Sequence, residues 1–429
     1  MKQPSVDKRV PLLCLGMLIF MFSVAKVIYV TSSRPDITNQ TDFLCAFYPA
    51  GYLVRTGHSA DLYPPVAATS YADSAFSKTA LSLLPFAPRD IVAIWLYSPL
   101  NALLFAPFSL LPPQLALAAW QLLSLCCLWW SCFFLSRATG RWSNSDAFLL
   151  SWLYAPIFQS IYMGQLSVPV GVLPIAAGYY LMSLNKDFAA GLSFAVTALN
   201  PKYLPIAGAI CVTRALSKRY SSLAGLAAGL LIFVVLSVVV FPVDVFIGWI
   251  GSVGRAENAF YDPRLLTTFP HLIASLPAAI LLTIPDSWRP LGKPAVYLLS
   301  ATIGLVTFWR CWKLSQLATN TSLVLAACMV AFSYCIPLLE PHILAYDLSA
   351  LFIALFILVS HSWPKGIRKQ LCIAAVIGWI AIDVNYFLYT YMGVRLHPFV
   401  LIAILVGLLV EILRCFKRIE SLTTAPAAN

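Results

Sequence analysis

Residues 221–241 read SSLAGLAAGLLIFVVLSVVVF, an apolar run that contains no charged residue. A helix needs about 20 apolar residues to cross a hydrocarbon core about 30 Å thick. Comparable runs recur along nearly the whole chain, without the two-residue alternation that is typical of barrel strands. Because backbone amides in lipid must be hydrogen-bonded within their own segment, these runs predict helices. The sequence therefore indicates an all-α, polytopic transmembrane protein.

The composition supports the same class. Of the 429 residues, 60% are hydrophobic and 10% are charged, whereas soluble domains carry about 25% charged residues. A net charge of +11 would suggest a nucleic-acid partner for a soluble protein, but in this chain the basic residues cluster between apolar runs and are topology signals. We therefore expect membrane lipids, and no nucleic acid, as partners. The clusters predicted to be cytoplasmic are Arg214/Lys218/Arg219, Arg310/Lys313, Lys365/Arg368/Lys369 and Arg414/Lys417/Arg418.

The chain is predicted to form one integral membrane domain, residues 1–429, with about twelve crossings. Its first segment, 10–30, has no convincing cleavage site and is expected to remain as a helix with a cytoplasmic N-terminus. The later segments are 91–111, 114–136, 146–163, 167–184, 188–213, 221–241, 294–309, 320–338, 342–361, 371–391 and 397–413, while the shorter 271–285 dips into the membrane without crossing it. This count leaves Arg137 and Arg141 on the outer side, against the positive-inside rule.

Two polar stretches fall on the outer face, a large first loop at 31–92 and a second loop at 242–270. The tail, 421–429, is small and polar and is predicted to be disordered. Within the first loop, apolar residues at helical spacing predict an interfacial amphipathic helix, bent at Pro49 and ending at Gly57. Asp42 stands at the head of this helix, where it is either an ordinary N-cap or a functional carboxylate. Gly225 and Gly229 form a GxxxG pattern that predicts a helix-packing face.

Polar residues inside apolar segments are costly and need a partner or a function. Lys202 lies in LNPKYLP, where Asn200 and Pro201 are expected to break the helix. The other such residues are Gln165, Glu340, His342, Asp347, Asp383 and Asn385. For each of them a buried hydrogen bond or a headgroup contact is the alternative to a functional site.

Five stretches resemble, in order and spacing, glycosyltransferase family 87, whose members are membrane enzymes of the GT-C fold class and include polyprenyl-phosphate-mannose-dependent mannosyltransferases. They are DFLCAFYPAGYLVRTGHSADLYPP (42–65), WLYSPLNALLFAPFSLLPPQLALAAW (95–120), YMGQLSVPVGVLP (162–174), AAGLSFAVTALNPKYLPIAGAI (189–210) and IPLLEPHILAYDLSALFIAL (336–355). The lysine–proline order usual in that family is inverted in this chain, as Pro201-Lys202, and Gln165 is followed by Leu166 where an asparagine is common.

The resemblance implies a GT-C-like glycosyltransferase, a hexosyltransferase, in a bacterial inner membrane, with its active site facing the periplasm. The donor would be a sugar, with mannose expected, on polyprenyl phosphate, and the acceptor a lipid or a glycan. Asp42 would be the general base, and an inverting displacement would need no second acid because the leaving phosphate already carries charge. Lys202, Arg255 and Arg264 are candidates to bind the donor phosphate. The candidates for the sugar and acceptor are His342, Tyr346, Asp347, Gln165 and Asn200.

No residues have metal-ligand spacing, and we predict neither a metal nor a cofactor. A transporter or lipid flippase is the main alternative, since such proteins also have broken helices and midplane charges. The absence of an evident internal repeat, and the position of the longest polar loop after the first helix, favour transfer over transport. A membrane assembly protein without chemistry is the third interpretation.

Overall fold

The computed structural model describes residues 9–33, 41–64, 74–84, 94–260, 274–317, 321–392 and 398–424. Helices and turns, with no β-strand, make up this part of the chain, which confirms the all-α prediction. Within these described ranges, five helices are long and apolar enough to cross a membrane, or six if the bent pair Ala155–Tyr162 and Ser167–Ser183 is one span. The five are Val10–Val30, Pro113–Thr139, Ser221–Val240, Arg289–Gln316 and Thr321–Leu339. The predicted count of about twelve crossings is not confirmed, and one of the twelve predicted segments is corrected below.

The α-helices of the described residues are numbered in chain order. They are α1 (Val10–Ser33), α2 (Tyr48–Arg55), α3 (Ala75–Leu83), α4 (Pro99–Phe105), α5 (Pro113–Thr139), α6 (Asn144–Ser151), α7 (Ala155–Tyr162), α8 (Leu173–Ser183), α9 (Asp187–Ala195), α10 (Leu204–Leu216), α11 (Ser221–Val240), α12 (Val243–Phe260), α13 (Leu276–Thr283), α14 (Arg289–Leu317), α15 (Thr321–Leu339), α16 (Leu351–Ser360), α17 (Lys365–Met392) and α18 (Pro398–Thr424). Shorter π or 3₁₀ turns lie at Phe43–Phe47, Ser59–Leu62, Phe108–Leu110, Ser167–Val172, Val196–Leu199, Pro201–Tyr203, Asp286–Trp288 and Ala345–Ala350.

The chain divides into two compact units. The first unit comprises Met1–Cys127, Phe158–Leu166 and Leu230–Thr268. The second comprises Leu128–Ile157, Ser167–Gly229 and Phe269–Asn429.

The first unit has an aromatic core around the helix predicted in the first loop. Phe47 stacks on Phe105 with ring centroids 4.7 Å apart. Gly51 of α2 lies directly against the backbone of Phe105 in α4, so a side chain at this position would collide with it. The helix ends as predicted at Gly57, whose φ of +79° suits glycine. The position of this helix at the bilayer surface stays a prediction.

The crossing predicted at 91–111 is wrong. The described part of this segment holds only the seven-residue α4, followed by the 3₁₀ turn Phe108–Leu110. At 1.5 Å per residue α4 is about 10 Å long, far short of a hydrocarbon core. Prolines at both ends of α4 interrupt a run that is apolar in composition.

The second unit confirms two other sequence predictions. Gly225 of α11 packs against the backbone of Phe188, and Gly229 packs against the side chain of Ala195, so the GxxxG pattern is a packing face. The segment predicted at 188–213 is broken as expected, because α9 and α10 are separated by two 3₁₀ turns on either side of Asn200. The eight-residue α13 is too short to cross the membrane, in agreement with the prediction for 271–285. Helix α18 continues to Thr424, and residues 425–429 of the predicted tail lie outside the described residues.

Candidate active site

Asp42 and Gln165 form the polar centre of the first unit. The Nε2 amide of Gln165 donates a hydrogen bond to Oδ2 of Asp42. Gln165 is buried and Asp42 is half-buried. The Asp42 side chain makes no capping hydrogen bond to the π-helical turn Phe43–Phe47 that follows it, so the N-cap interpretation is wrong. The carboxylate is held instead by a side chain that is distant in sequence.

Gly164 explains why the chain brings Gln165 to this carboxylate. Its φ of +68° turns the backbone sharply after α7. The Phe43 side chain lies so close to Gly164 that a Cβ there would overlap it. The Phe43 amide donates to the carbonyl of Met163 at 3.1 Å, and the Gln165 amide donates to that of Ser160 at 2.8 Å. The backbone at 163–165 is thereby fixed against the residue that follows Asp42.

Two further features describe the surroundings of Asp42. Burial and the negative charge of Asp42 raise the pKa of the Cys45 thiol to about 12, so this cysteine is a protonated thiol and not a nucleophile at neutral pH. Oε1 of Gln165 is buried and has no hydrogen-bond partner among the described residues. A buried acceptor of this kind suits a ligand hydroxyl, since buried polar groups are normally paired.

Lys202 and Asp347 form a second polar centre, within the second unit. Lys202 Nζ lies 2.6 Å from Asp347 Oδ2, and the two side chains are 21% and 0% exposed. Asp347 also accepts from the backbone amide of Leu344 at 3.0 Å and, at 3.4 Å, from the hydroxyl of Ser167. The Tyr203 hydroxyl donates to the Asp347 backbone carbonyl at 3.0 Å. This network fixes a fully enclosed carboxylate, whereas the Lys202 side chain remains partly exposed.

The local sequence accounts for both sides of this pair. Pro201 begins one short 3₁₀ turn and Pro205 stands in the first turn of α10, so Lys202 projects from a break between helices. Asp347 lies in the turn Ala345–Ala350 and caps that turn through the Leu344 amide. The predicted break at Asn200 and Pro201 is therefore present in the structure. It explains why Lys202 is partly exposed.

Asn200 and Glu340 also belong to the second unit. Asn200 is fully buried, and neither polar atom of its side chain has a hydrogen-bond partner among the described residues. Glu340 follows α15 directly and is half-buried. Burial raises the pKa of the Glu340 carboxyl to about 7. The positive charge of Lys202 lowers this pKa, and the negative charge of Asp347 raises it. The sequence identified Glu340 as a charged residue within an apolar segment but did not predict a role for it. Its spatial neighbours cannot be read from the sequence.

The structure also places three of the remaining predicted site residues. His342 is half-buried in the turn after α15, and Tyr346 is buried in the turn Ala345–Ala350. Arg255 lies on α12, and Arg264 lies outside the described residues.

Asp383 has a structural explanation. Its Oδ1 accepts from the Ala155 amide at 2.8 Å, at the first residue of α7, where helix amides otherwise lack partners. This contact agrees with a buried hydrogen bond as the purpose of Asp383.

The sequence was also compared with known proteins. The sequence model of glycosyltransferase family 87 matches residues 95–341, more than half of the chain. The matched range includes Gln165, Asn200, Lys202 and Glu340, whereas Asp42 lies before it and Asp347 after it. No curated protein and no solved structure matches the chain.

Proposed function

Because the chain belongs to glycosyltransferase family 87, we propose a specific reaction for this membrane glycosyltransferase. A hexose, with mannose as the expected sugar, moves from a polyprenyl-phosphate donor to a lipid or glycan acceptor at the outer face of a bacterial inner membrane. The anomeric carbon is inverted in a single displacement. Family membership decides against a transporter, a flippase or an assembly protein without chemistry.

The observation that carries the proposal is the Asp42 carboxylate and the Gln165 amide that binds it. A general base must present an oriented acceptor to the proton that it removes. Asp42 accepts the proton of the acceptor hydroxyl as that oxygen bonds to the anomeric carbon. The bond between this carbon and the phosphate oxygen breaks, and the electron pair remains on the lipid phosphate. Gln165 keeps the carboxylate in one orientation, and its buried Oε1 is available to a hydroxyl of a sugar.

The donor phosphate needs positive charge, which Lys202 supplies. Its ammonium group has three donors, of which one is directed at Asp347. Because Asp347 is fully enclosed, we assign it the task of orienting Lys202 instead of touching sugar hydroxyls. Asn200, His342 and Tyr346 remain our candidates for the sugar and the acceptor. Arg255 and Arg264 remain candidates for further phosphate contacts.

The decisive experiment is a transfer assay with protein in lipid nanodiscs. Labelled polyprenyl-phosphate mannose and the corresponding glucose lipid are offered with a panel of lipid and glycan acceptors. We expect transfer by the wild type and a loss of about 10²–10⁴-fold in Asp42→Asn, the usual contribution of a general base. Asp61→Asn is the matched control, since Asp61 is a half-buried carboxylate of the same loop region. Full activity in Asp42→Asn, or equal loss in both variants, would refute the assignment.

A further inference from the structure

Glu340 is an ionisable residue of the second unit that has no role in the proposed mechanism. Its carboxylate forms no hydrogen bond with the described part of the chain. It lines a cavity of about 440 Å³ whose walls come from α10, α14 and α15. Of the described residues that line this cavity, Glu340 alone is charged. Apolar lining residues include Pro205, Ala209, Phe308, Phe332, Ile336 and Leu339.

The Lys202–Asp347 pair acts electrostatically on this carboxylate. Among the described residues, Lys202 and Asp347 are the charged groups whose fields act on Glu340. Lys202 lies three residues before Pro205, which lines the cavity at the start of α10. The cavity is therefore apolar along its walls apart from the Glu340 carboxylate, and Lys202 precedes one of its lining residues by one helical turn's length of chain. That arrangement fits a prenyl chain attached to an anionic phosphate.

The proposed reaction changes the charge of this phosphate. The donor is a phosphodiester with one negative charge. After the bond to the sugar breaks, the lipid carries a phosphomonoester, whose second pKa near 6 gives it a charge of about −1.5 to −2 at pH 7. A fixed negative charge beside the phosphate therefore repels the spent lipid more than it repels the donor.

We propose that Glu340 is a charge filter at the end of this cavity, which admits the singly charged lipid phosphodiester and repels the doubly charged phosphomonoester. The inference rests on the proposed function and extends it to product release. Lys202 attracts both lipids, and the repulsion by Glu340 separates them. Because the pKa of Glu340 is raised to about 7, the filter is strongest above pH 7, where this carboxyl is ionised. Below that pH its discrimination fades.

The test is a binding experiment that does not depend on transfer. Calorimetry at pH 8 compares farnesyl phosphate with its methyl diester for the wild type and for Glu340→Gln, Glu340→Asp and Glu411→Gln. We expect Glu340→Gln to tighten binding of the monoester relative to the diester by about tenfold, the effect of removing one like charge about 12 Å away at an effective dielectric constant of about 20. Glu340→Asp keeps the charge and should keep the wild-type ratio. Glu411→Gln removes a carboxylate that pairs with Arg414, and it should also keep that ratio.

The outcomes separate the two proposals. An unchanged ratio in Glu340→Gln, or an equal change in Glu411→Gln, would overturn the filter even if sugar transfer is observed. A failure of the wild type to bind either lipid would also overturn it. A changed ratio without transfer from any lipid-linked sugar would support the filter and refute the reaction.

Discussion

Gln165 donates its side-chain hydrogen bond to Asp42 across 123 residues of sequence. The bond links the turn after α7 to the start of the helix in the first loop. A hydrogen bond to a charged group contributes about 1.5–3 kcal/mol. The contact is therefore strong enough to select one orientation of the carboxylate.

Replacing Gln165 by alanine should lower kcat by about tenfold to a hundredfold, which is the loss that such a hydrogen bond predicts. The Asp42 carboxylate is still present in this variant, but the hydrogen bond that orients it is lost. KM for the donor should change less than kcat, and steady-state kinetics in nanodiscs would measure both. Gln121→Ala is the control, because Gln121 is a buried amide of the same unit that bonds the Tyr162 carbonyl. Equal losses in the two variants would contradict a specific role for Gln165.

Gly164→Ala should destabilise the protein more than the same change at Gly57 or Gly140. All three glycines have positive φ, which costs a non-glycine residue about 1 kcal/mol or more. At Gly164 the new methyl group also overlaps Phe43, whereas nothing lies near the other two. Thermal unfolding in detergent would measure the difference. Equal shifts in melting temperature would show that Phe43 moves aside without cost.

Lys202→Met should weaken donor binding and lower stability together. It leaves the enclosed Asp347 without its cation, and breaking a buried pair costs about 3–5 kcal/mol. The remaining hydrogen bonds from Leu344 and Ser167 should place the loss at the lower end of this range. Donor KM and thermal stability are the two measurements.

The pair Arg214–Asp187 provides the control for Lys202. It is also 2.6 Å long and mostly buried, and it lies in the same unit. Arg214→Met should lower stability and leave the donor KM unchanged. A similar rise in donor KM in both variants would mean that Lys202 acts through folding and not through the phosphate.

Stability should fall as the pH rises from about 5 to 8. Burial raises the pKa of Glu340 from 4.5 to about 7, so between these values the folded protein holds a proton that the unfolded chain has released. Each pKa unit corresponds to about 1.4 kcal/mol, so the shift predicts a loss of roughly 3 kcal/mol by pH 8. Glu340→Gln should remove the part of this slope that Glu340 contributes and be more stable than the wild type at pH 8. Melting curves at pH 5.5 and 8 would check both, and a parallel slope in the variant would assign the effect to other groups.

Some features were decided by the local sequence because lipid acts as a uniform apolar solvent. Long apolar runs must satisfy their own amides, so the membrane class and the all-α fold follow from composition. The break at Asn200 and Pro201 and the packing face at Gly225 and Gly229 also follow locally, because proline and glycine act on their own backbone. Hydropathy failed at 91–111 because it does not register that prolines divide an apolar run into pieces too short to cross.

The site itself was decided only by the tertiary structure. The sequence indicated that Asp42, Lys202 and Asp347 are charged residues in or beside apolar segments. It did not show whether each side chain caps a helix, contacts a lipid headgroup or binds another side chain. Gln165 and Asp42 are 123 residues apart, and Lys202 and Asp347 are 145 apart. A hydrogen bond forms within about 3 Å and at a restricted angle. Whether two distant side chains meet this condition depends on how helices pack, and that information is absent from any single segment.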